Sequence, residues 1–296
     1  MSRRGGDEPG RKQRRDRADR QVVAIDAELR AEAAAVRRAA RRFNAALAVD
    51  AAAGGSPEHA ELLRRLRAEP ITGMGRVAYS SNAVFLVELD GPDPAHPEEP
   101  LRAIYKPARG ERPLWDFPRG TLHLREVGAY LVSAALGDGI VPPTTLRDGP
   151  HGPGSMQLFI HTPADARGDA EHLEEEMRAL AALDVLVNNA DRKRAHLLLG
   201  DDGRLHGIDN ALSFLPYPRQ RTVLLELGGQ PLPGPVATRV RTLARDEHRR
   251  TALSTALGRL LDSDEIDGFN DRLDQLAATC RYPLLDPWEG RPFEFW

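Results

Sequence analysis

The sequence is poor in cysteine, in lysine and in long apolar runs. Its single cysteine, Cys280, can form no internal disulfide and has no second cysteine for a metal site. We interpret it as a buried core thiol, the usual environment of a free cysteine. No stretch approaches the roughly 18 apolar residues of a membrane span, and the N-terminus lacks the apolar centre of a signal peptide. These absences predict a cytoplasmic protein, and we expect a monomer.

Lysine is scarce enough to make each one informative. Only Lys12, Lys106 and Lys193 are lysines among 41 basic residues. Arginine cannot replace lysine where a compact point charge is needed. A lysine retained within a motif of such a chain therefore indicates a specific role for its ammonium group.

The charge is unevenly distributed along the chain. Residues 1–20 carry eight basic against four acidic residues, although the whole chain has a net charge of -3. We interpret this segment as a solvated, disordered tail, with contact to nucleic acid or an anionic membrane as the alternative.

Apolar periodicity predicts a helix next. Between residues 21 and 49, apolar side chains recur seven apart, at Val22, Leu29, Val36 and Phe43. This spacing is typical of one face of an amphipathic helix, which either packs onto the main domain or dimerises. Residues 51–59, AAAGGSPEH, then predict a linker.

A change of period at Ile71 predicts strands. Residues 84–89 and 103–105 follow as further strands, separated by the loop 90–100, whose prolines are not expected to join a ladder. Next come a helix that ends at glycines and two short strands around an Asp-Gly turn, Asp148 and Gly149. The predicted order is strand, strand, strand, helix, strand, strand.

The remainder is predicted to be mostly helical. A long helix is predicted over residues 172–187, and a hairpin with the turn GDDG, residues 200–203, comes after it. Three more helices are predicted near residues 237–246, 248–261 and 265–279.

Several of these features occur together in one known family. The motifs YKPARGERPLWDFPRGTLHLREVGAY, residues 105–130, and NNADRKRAHLLL, residues 188–199, resemble those of an actinobacterial phosphatidylinositol 3-/4-kinase-like family. That family has the protein-kinase-like fold and is related to the HipA-like kinases. The resemblance covers about residues 71–230. It implies an α+β, bilobal fold with a small antiparallel-sheet lobe and a larger helical lobe.

The resemblance also suggests a division into four parts. These are a basic tail (1–20), a helical extension with its linker (21–70), an N-terminal lobe that carries the ATP-binding lysine (71–161) and a helical C-terminal lobe with the catalytic and metal loops (162–296).

The N-terminal lobe would then bind the nucleotide phosphates. Lys106 ends an apolar strand and matches the lysine that contacts the α- and β-phosphates of ATP, while Glu126 in the following helix would hold it by an ion pair. Glu111 is an alternative partner. A surface lysine and a solvated glutamate remain the simpler interpretation of the two residues.

The C-terminal lobe would supply the chemistry. By resemblance, Asp191 orients or deprotonates the acceptor hydroxyl, and Lys193 neutralises charge on the transferred group. Asp209 matches the metal-binding aspartate that follows the hairpin. The alternative for Asp191 is a turn-capping aspartate. The acids of GDDG are interpreted as turn residues only.

Two positions depart from the broader pattern. His196 stands where the kinase fold uses asparagine as a second metal ligand, and imidazole suits Mn²⁺ or Zn²⁺ better than Mg²⁺. A histidine that merely braces the loop is the alternative. Asn210 and Ala211 follow Asp209 where the family is expected to have His-Gly, which brings full activity into question.

Three further sites are implied less specifically. The stretch GMGRVAYSSN, residues 73–82, offers glycines and then Ser80, Ser81 and Asn82 to the β- and γ-phosphates. The backbone from Gln157 to Phe159 would form the hinge that faces adenine. Trp115 is interpreted as a lobe-packing aromatic, with a place in the acceptor site as the alternative.

The sequence thus predicts an ATP-dependent kinase that uses Mg²⁺ or Mn²⁺ and an alcohol-group acceptor. The acceptor is left open among a lipid head group, a protein hydroxyl and a small metabolite. A pseudokinase that acts as a nucleotide-binding or scaffolding module is the alternative, and a nucleic-acid-binding protein is a third hypothesis.

Overall fold

A five-stranded antiparallel sheet and a set of helices make up the described part of the chain. The computed structural model describes residues 57–78, 82–163 and 170–292. The predicted basic tail and the predicted helix over residues 21–49 lie outside these ranges. In chain order, the helices and strands are α1 (Pro57–Ala68), β1 (Ile71–Arg76), β2 (Phe85–Pro92), β3 (Pro100–Pro107), α2 (Leu122–Leu136), β4 (Thr144–Gly149), β5 (Gly152–Leu158), α3 (Ala170–Val187), β6 (Leu197–Leu199), β7 (Leu205–Gly207), α4 (Gly234–Arg245), α5 (Glu247–Leu257) and α6 (Ser263–Thr279).

The sheet of the N-terminal lobe has the order β1-β2-β3-β5-β4, and all its strands are antiparallel. Burial alternates along β3, with Leu101, Ala103 and Tyr105 fully buried on one face. Side chains of a strand point to opposite faces in turn, so Lys106 leaves the sheet on the other side. The predicted order of strands and helix is confirmed.

Helix α1 packs on this sheet, and its first residues lie where the sequence predicts a linker. The helix begins at Pro57, so the prediction of a linker through residue 59 is wrong at its end. Proline suits the first turn of a helix, where its missing N–H costs no hydrogen bond. Leu66 is fully buried in the sheet's core, and Arg147 of β4 donates to the carbonyl oxygens of Leu66 and Glu69 at the end of the helix.

Two turns differ from the predictions. Asp148 and Gly149 belong to β4, and the two-residue connection to β5 is Pro150-His151, because Gly149 pairs with Gly152. In the earlier loop, Pro92 and Pro100 are register partners at the ends of β2 and β3. Both prolines lie beyond a bulge at the end of the ladder, where a missing N–H donor is tolerated.

The C-terminal lobe has the larger core. It is built from α2 to α6, and its fully buried residues include Leu183, Leu186, Phe214, Leu257 and Phe269. Cys280 lies at its rim and is only half-buried, so the prediction of a buried thiol is wrong. Cys280 ends α6 in a left-handed conformation, φ 47°. No helix in the described ranges has the length and apolarity that a membrane crossing requires.

Candidate active site

The centre of the site is the ammonium group of Lys106. Its Nζ donates to Glu126 Oε2 at 2.9 Å and to Asp209 Oδ1 at 3.0 Å. Glu126 comes from α2, and Asp209 comes from the segment after the β6–β7 hairpin. One lysine of β3 therefore joins the sheet lobe to the helical lobe through two carboxylates.

Opposite charges dominate the electrostatics of this cluster. Burial lowers the pKa of Lys106, but the carboxylates of Asp209 and Glu126 outweigh it, so that the pKa is raised overall. The neighbouring Lys106 ammonium in turn holds the pKa of Asp209 far below its usual range. At neutral pH, both groups are charged.

Glu126 is fully buried and uses both carboxylate oxygens. Oε2 accepts from Lys106, and Oε1 accepts from the backbone N–H of Asn210 at 2.9 Å. The alternative partner Glu111 is used elsewhere, because it accepts from the N–H groups of Gly120 and Leu122 at the start of α2. The structure thus pairs Lys106 with Glu126 and leaves Glu111 as a cap for the helix.

The backbone of Asp209 has an unusual conformation that its neighbours hold on both sides. Its φ is 56°, in the left-handed region that few non-glycine residues adopt. The Ile208 carbonyl accepts from Arg192 Nη1 at 2.7 Å, and the Asn210 N–H donates to Glu126. The carboxylate is half-exposed where it meets Lys106 of the sheet lobe. Such strain, held in place by surrounding bonds, is typical of functional segments.

Asp191 and Lys193 lie together in the loop after α3. Lys193 Nζ donates to Asp191 Oδ2 at 2.8 Å, and Asn189 Oδ1 accepts from the Asp191 N–H at 2.9 Å. Burial raises the pKa of Asp191, although Lys193 opposes the shift. A carboxylate with a raised pKa is better suited to accept a proton near neutral pH.

A buried ion pair beneath this loop was not predicted from the sequence. Arg192 and Asp184 are both fully buried, and two guanidinium nitrogens of Arg192 lie 2.9 Å from the carboxylate of Asp184. Arg192 also donates to Asn210 Oδ1, and Asn189 Nδ2 donates to Asp184 at 3.1 Å. The network joins α3, the Asp191 loop and the Asp209 segment, and it gives Asn210 a structural role.

His196 lies beside Asp209. Its Nε2 is 3.4 Å from Asp209 Oδ2, and its Nδ1 accepts from the Lys193 N–H at 3.4 Å. Burial lowers the pKa of His196, so the ring is neutral at neutral pH. With Nδ1 accepting, the ring carries its proton on Nε2 and directs it at Asp209. This arrangement braces Asp209, and metal binding at Nε2 would require that proton to leave.

The predicted phosphate cradle is described only in part. Ser80 and Ser81 lie outside the described residues. Gly73 and Gly75 belong to strand β1, in front of the β1–β2 connection that carries Asn82. Asn82 accepts from the Arg112 N–H at 2.8 Å and so fastens the β1–β2 connection to the segment after β3.

The predicted hinge runs along the end of β5. The Gln157 side chain is buried and donates to Thr144 Oγ1 at 2.9 Å. The Phe159 N–H donates to the Arg102 carbonyl at 3.1 Å, which extends the pairing with β3 by one bond. The Gln157 side chain is therefore held within the sheet, whereas the Phe159 side chain is only half-buried.

Trp115 does not pack between the lobes, so that interpretation is wrong. Its side chain is 82% exposed, and the Arg219 guanidinium lies over its ring at 5.2 Å from the ring centroid. Phe117, two residues later, is the buried aromatic of this loop and packs against Ala190 and Ala211. Phe117 thus fixes the loop that carries Trp115 against residues next to Asp191 and Asp209.

Comparison with known proteins yields one sequence relative and a shared fold. No family model matches the sequence. The chain is 37% identical to Protein Rv2133c of Mycobacterium tuberculosis over 211 residues, which span 59% of this chain and 74% of that protein. Hydra Fam20, solved with a sugar, superposes with a TM-score of 0.52 at 16% identity, over 76% of this chain and 90% of that one. The Golgi casein kinase with Mn/ADP bound has a TM-score of 0.47 at 13% identity, over 74% of each chain.

The likeness to hydra Fam20 shows the fold. The α+β, bilobal, protein-kinase-like arrangement predicted from the sequence is confirmed, with an antiparallel sheet in one lobe and helices in the other.

Proposed function

The chain belongs to the family of Protein Rv2133c, and from its site we propose that it is an ATP-dependent phosphotransferase of the phosphatidylinositol-kinase-like and HipA-like type. The observation that carries this proposal is the position of Lys106. One of only three lysines in the chain lies between two carboxylates, one from helix α2 and one from the segment after the β6–β7 hairpin, at 2.9 and 3.0 Å. A compact cation held in this way is suited to bind nucleotide phosphates.

The site residues divide the work between the lobes. Lys106 contacts the α- and β-phosphates of ATP, and Glu126 keeps its ammonium in place. Asn82, with Ser80 and Ser81, faces the outer phosphates, while the backbone from Gln157 to Phe159 meets adenine. Each of these roles is a proposal, and those of Ser80 and Ser81 rest on the sequence resemblance alone.

Asp191 and Lys193 act on the acceptor. The raised pKa of Asp191 supports a role in taking the proton of an acceptor hydroxyl. Lys193 donates to Asp191 at 2.8 Å. If this hydrogen bond breaks, its ammonium group can neutralise charge on the transferred phosphoryl group.

A divalent cation fits beside Asp209. Its half-exposed carboxylate is an oxygen ligand of the kind that Mg²⁺ and Mn²⁺ prefer, and the pKa far below its usual range keeps it ionised. Such a cation would neutralise charge on the nucleotide phosphates. His196 either adds a nitrogen ligand, which favours Mn²⁺, or braces Asp209 as it does here.

The acceptor is an alcohol group, carried by a lipid head group, a protein or a small metabolite. We assign Trp115 to the acceptor-binding site for two reasons. Its ring is exposed, and Phe117 fixes the same loop against the Asp191 and Asp209 segments. An exposed tryptophan is suited to contact a ring or an apolar group of an incoming molecule.

A pseudokinase is the second candidate function. The observation that favours it is the Asn210-Ala211 pair after Asp209. Against it, Asn210 is hydrogen-bonded to Arg192 and to the Gly207 carbonyl, so this departure from the family pattern completes a buried network and does not displace the Asp209 carboxylate from Lys106.

The proposal predicts metal-dependent stabilisation by ATP. The melting temperatures of the wild type and of its variants are measured without ligand, with ATP, and with ATP plus Mg²⁺ or Mn²⁺. A ligand at about 100 times its dissociation constant stabilises by about 2.7 kcal/mol, roughly 5 to 10 °C for a domain of this size. We expect this shift in the wild type and its loss in Lys106→Met and Asp209→Asn.

Asp274→Asn is the matched control. Asp274 pairs with Arg250, and its side chain is 55% exposed against 51% for Asp209. This variant should keep the full shift. Because each shift is measured against the same variant without ligand, a change in intrinsic stability does not affect the comparison. A wild type that shows no shift under any condition would contradict nucleotide binding.

A further inference from the structure

Two histidines and two aspartates meet at the outer edge of the lobe junction. His96 and Asp93 lie in the β2–β3 connection, His161 follows β5, and Asp201 lies in the β6–β7 turn. One possible ligand atom from each of His96, His161 and Asp201 lies within 4.8 Å of the other two. The cluster shares no residue with the candidate active site.

The distances are close to those of a four-coordinate metal site. His96 Nε2 lies 2.8 Å from Asp201 Oδ2, and His161 Nε2 lies 3.8 Å from Asp93 Oδ2. A tetrahedral ion with bonds of about 2.1 Å separates its ligand atoms by about 3.4 Å. The observed values fall on either side of that separation. His96, His161 and Asp201 already bring their ligand atoms together, and a rotation of the Asp93 side chain would add the fourth. The imidazoles of His96 and His161 are tilted by 39° with centroids 4.2 Å apart, and an ion between their nitrogens would move them apart.

His161 supplies an independent indication of a missing ligand. Its Nε2 is buried and has no hydrogen-bond partner among the described residues. Buried polar atoms are normally bonded, and an exception calls for an ion or a water molecule. Asp93 is also buried, and its other oxygen, Oδ1, already accepts from the Ala95 N–H at 2.8 Å. Asp93 Oδ2 and His161 Nε2 therefore face each other without a bond between them.

We propose that His96, His161, Asp201 and Asp93 bind a transition-metal ion of the Zn²⁺ type. Two imidazole nitrogens and two carboxylate oxygens form a donor set that suits Zn²⁺. Mg²⁺ prefers oxygen ligands alone. Four protein ligands are typical of a structural site. Asp201, interpreted from the sequence as a turn residue only, would then also be a ligand.

The position of the site determines what the metal would do. The Asp201 N–H already donates to the His161 carbonyl at 3.0 Å, which joins the hairpin to the end of β5. An ion here would also fasten the β2–β3 connection of the sheet lobe to the hairpin of the helical lobe. It would act as a cross-link that limits the opening of the lobes.

Cobalt absorption tests the site directly on the full chain. Four-coordinate Co²⁺ absorbs visible light much more strongly than six-coordinate Co²⁺. We expect an intense band that saturates at one equivalent and is displaced by Zn²⁺. The band should persist in Asp209→Asn, which separates this site from the nucleotide metal, and in His248→Ala, an exposed histidine elsewhere on the chain. His96→Ala and His161→Ala should lose it.

Three outcomes would overturn the proposal. They are a wild type without the band, a band that survives both histidine substitutions, and a band lost in Asp209→Asn but kept in His96→Ala. If His161→Ala fails to fold, the cobalt band of His96→Ala alone tests the proposal, since His96 is only half-buried. As a second measurement, Zn²⁺ should raise the melting temperature of the wild type and leave that of His96→Ala unchanged.

Discussion

Asp191→Asn should lower ATP-dependent turnover by about 10² to 10⁴-fold, the usual contribution of a general base. The amide keeps the size of the side chain but cannot accept a proton. Lys106, Glu126 and Asp209 remain in place, so metal-dependent stabilisation by ATP should be unchanged. Turnover is measured as ADP release and as autophosphorylation, neither of which requires knowledge of the acceptor.

The control for this result is Asp264→Asn. Asp264 is exposed in the first turn of α6, and its substitution should leave turnover unchanged. Full turnover in Asp191→Asn would remove Asp191 from the reaction. A wild type that binds ATP but shows neither ADP release nor autophosphorylation would favour the pseudokinase, since the Asp191 comparison would then have no activity to lose.

The charged motifs and the order of elements were predictable because they are local in sequence. Lys106 ends a strand with alternating apolar residues, and the glycine after α2 marks the end of that helix. Asp191 and Asp209 flank a short hairpin, so a turn alone brings them together. The pairing of Lys106 with Glu126 was predicted with Glu111 as its rival. Only the packing of α2 distinguishes the two glutamates.

The buried network could not be predicted because no local sequence signal distinguishes its members from other polar residues. Asp184 lies in an apolar helix, and Arg192 is one arginine among many, so neither stands out. Their function depends on complete burial, which no periodicity specifies. The same holds for His96 and His161, whose meeting with Asp201 requires three loops from two lobes. The exposed Trp115 was mispredicted because Phe117, two residues away, takes the packing role.

The network also predicts the largest loss of stability. Asp184→Asn should lower the free energy of unfolding by about 3–5 kcal/mol, because it leaves the Arg192 guanidinium buried without a counter-charge. Arg192→Met should lower the free energy of unfolding by a similar amount, because it leaves the Asp184 carboxylate buried without a counter-charge. Urea unfolding followed by circular dichroism measures both. In the double variant, neither unpaired charge remains, so its loss should be smaller than the sum of the single losses.

A surface pair gives the contrast that makes this test specific. Arg250 and Asp274 also form a two-bond ion pair, at 2.7 and 2.9 Å, but they do so in solvent. Asp274→Asn should therefore cost about 1 kcal/mol or less. Equal losses in Asp184→Asn and Asp274→Asn would mean that burial adds nothing to the inner pair. A large and specific loss in Asp184→Asn would show that the segments carrying Asp191 and Asp209 are held by one network, since Arg192 joins Asp184 to Ile208 and Asn210.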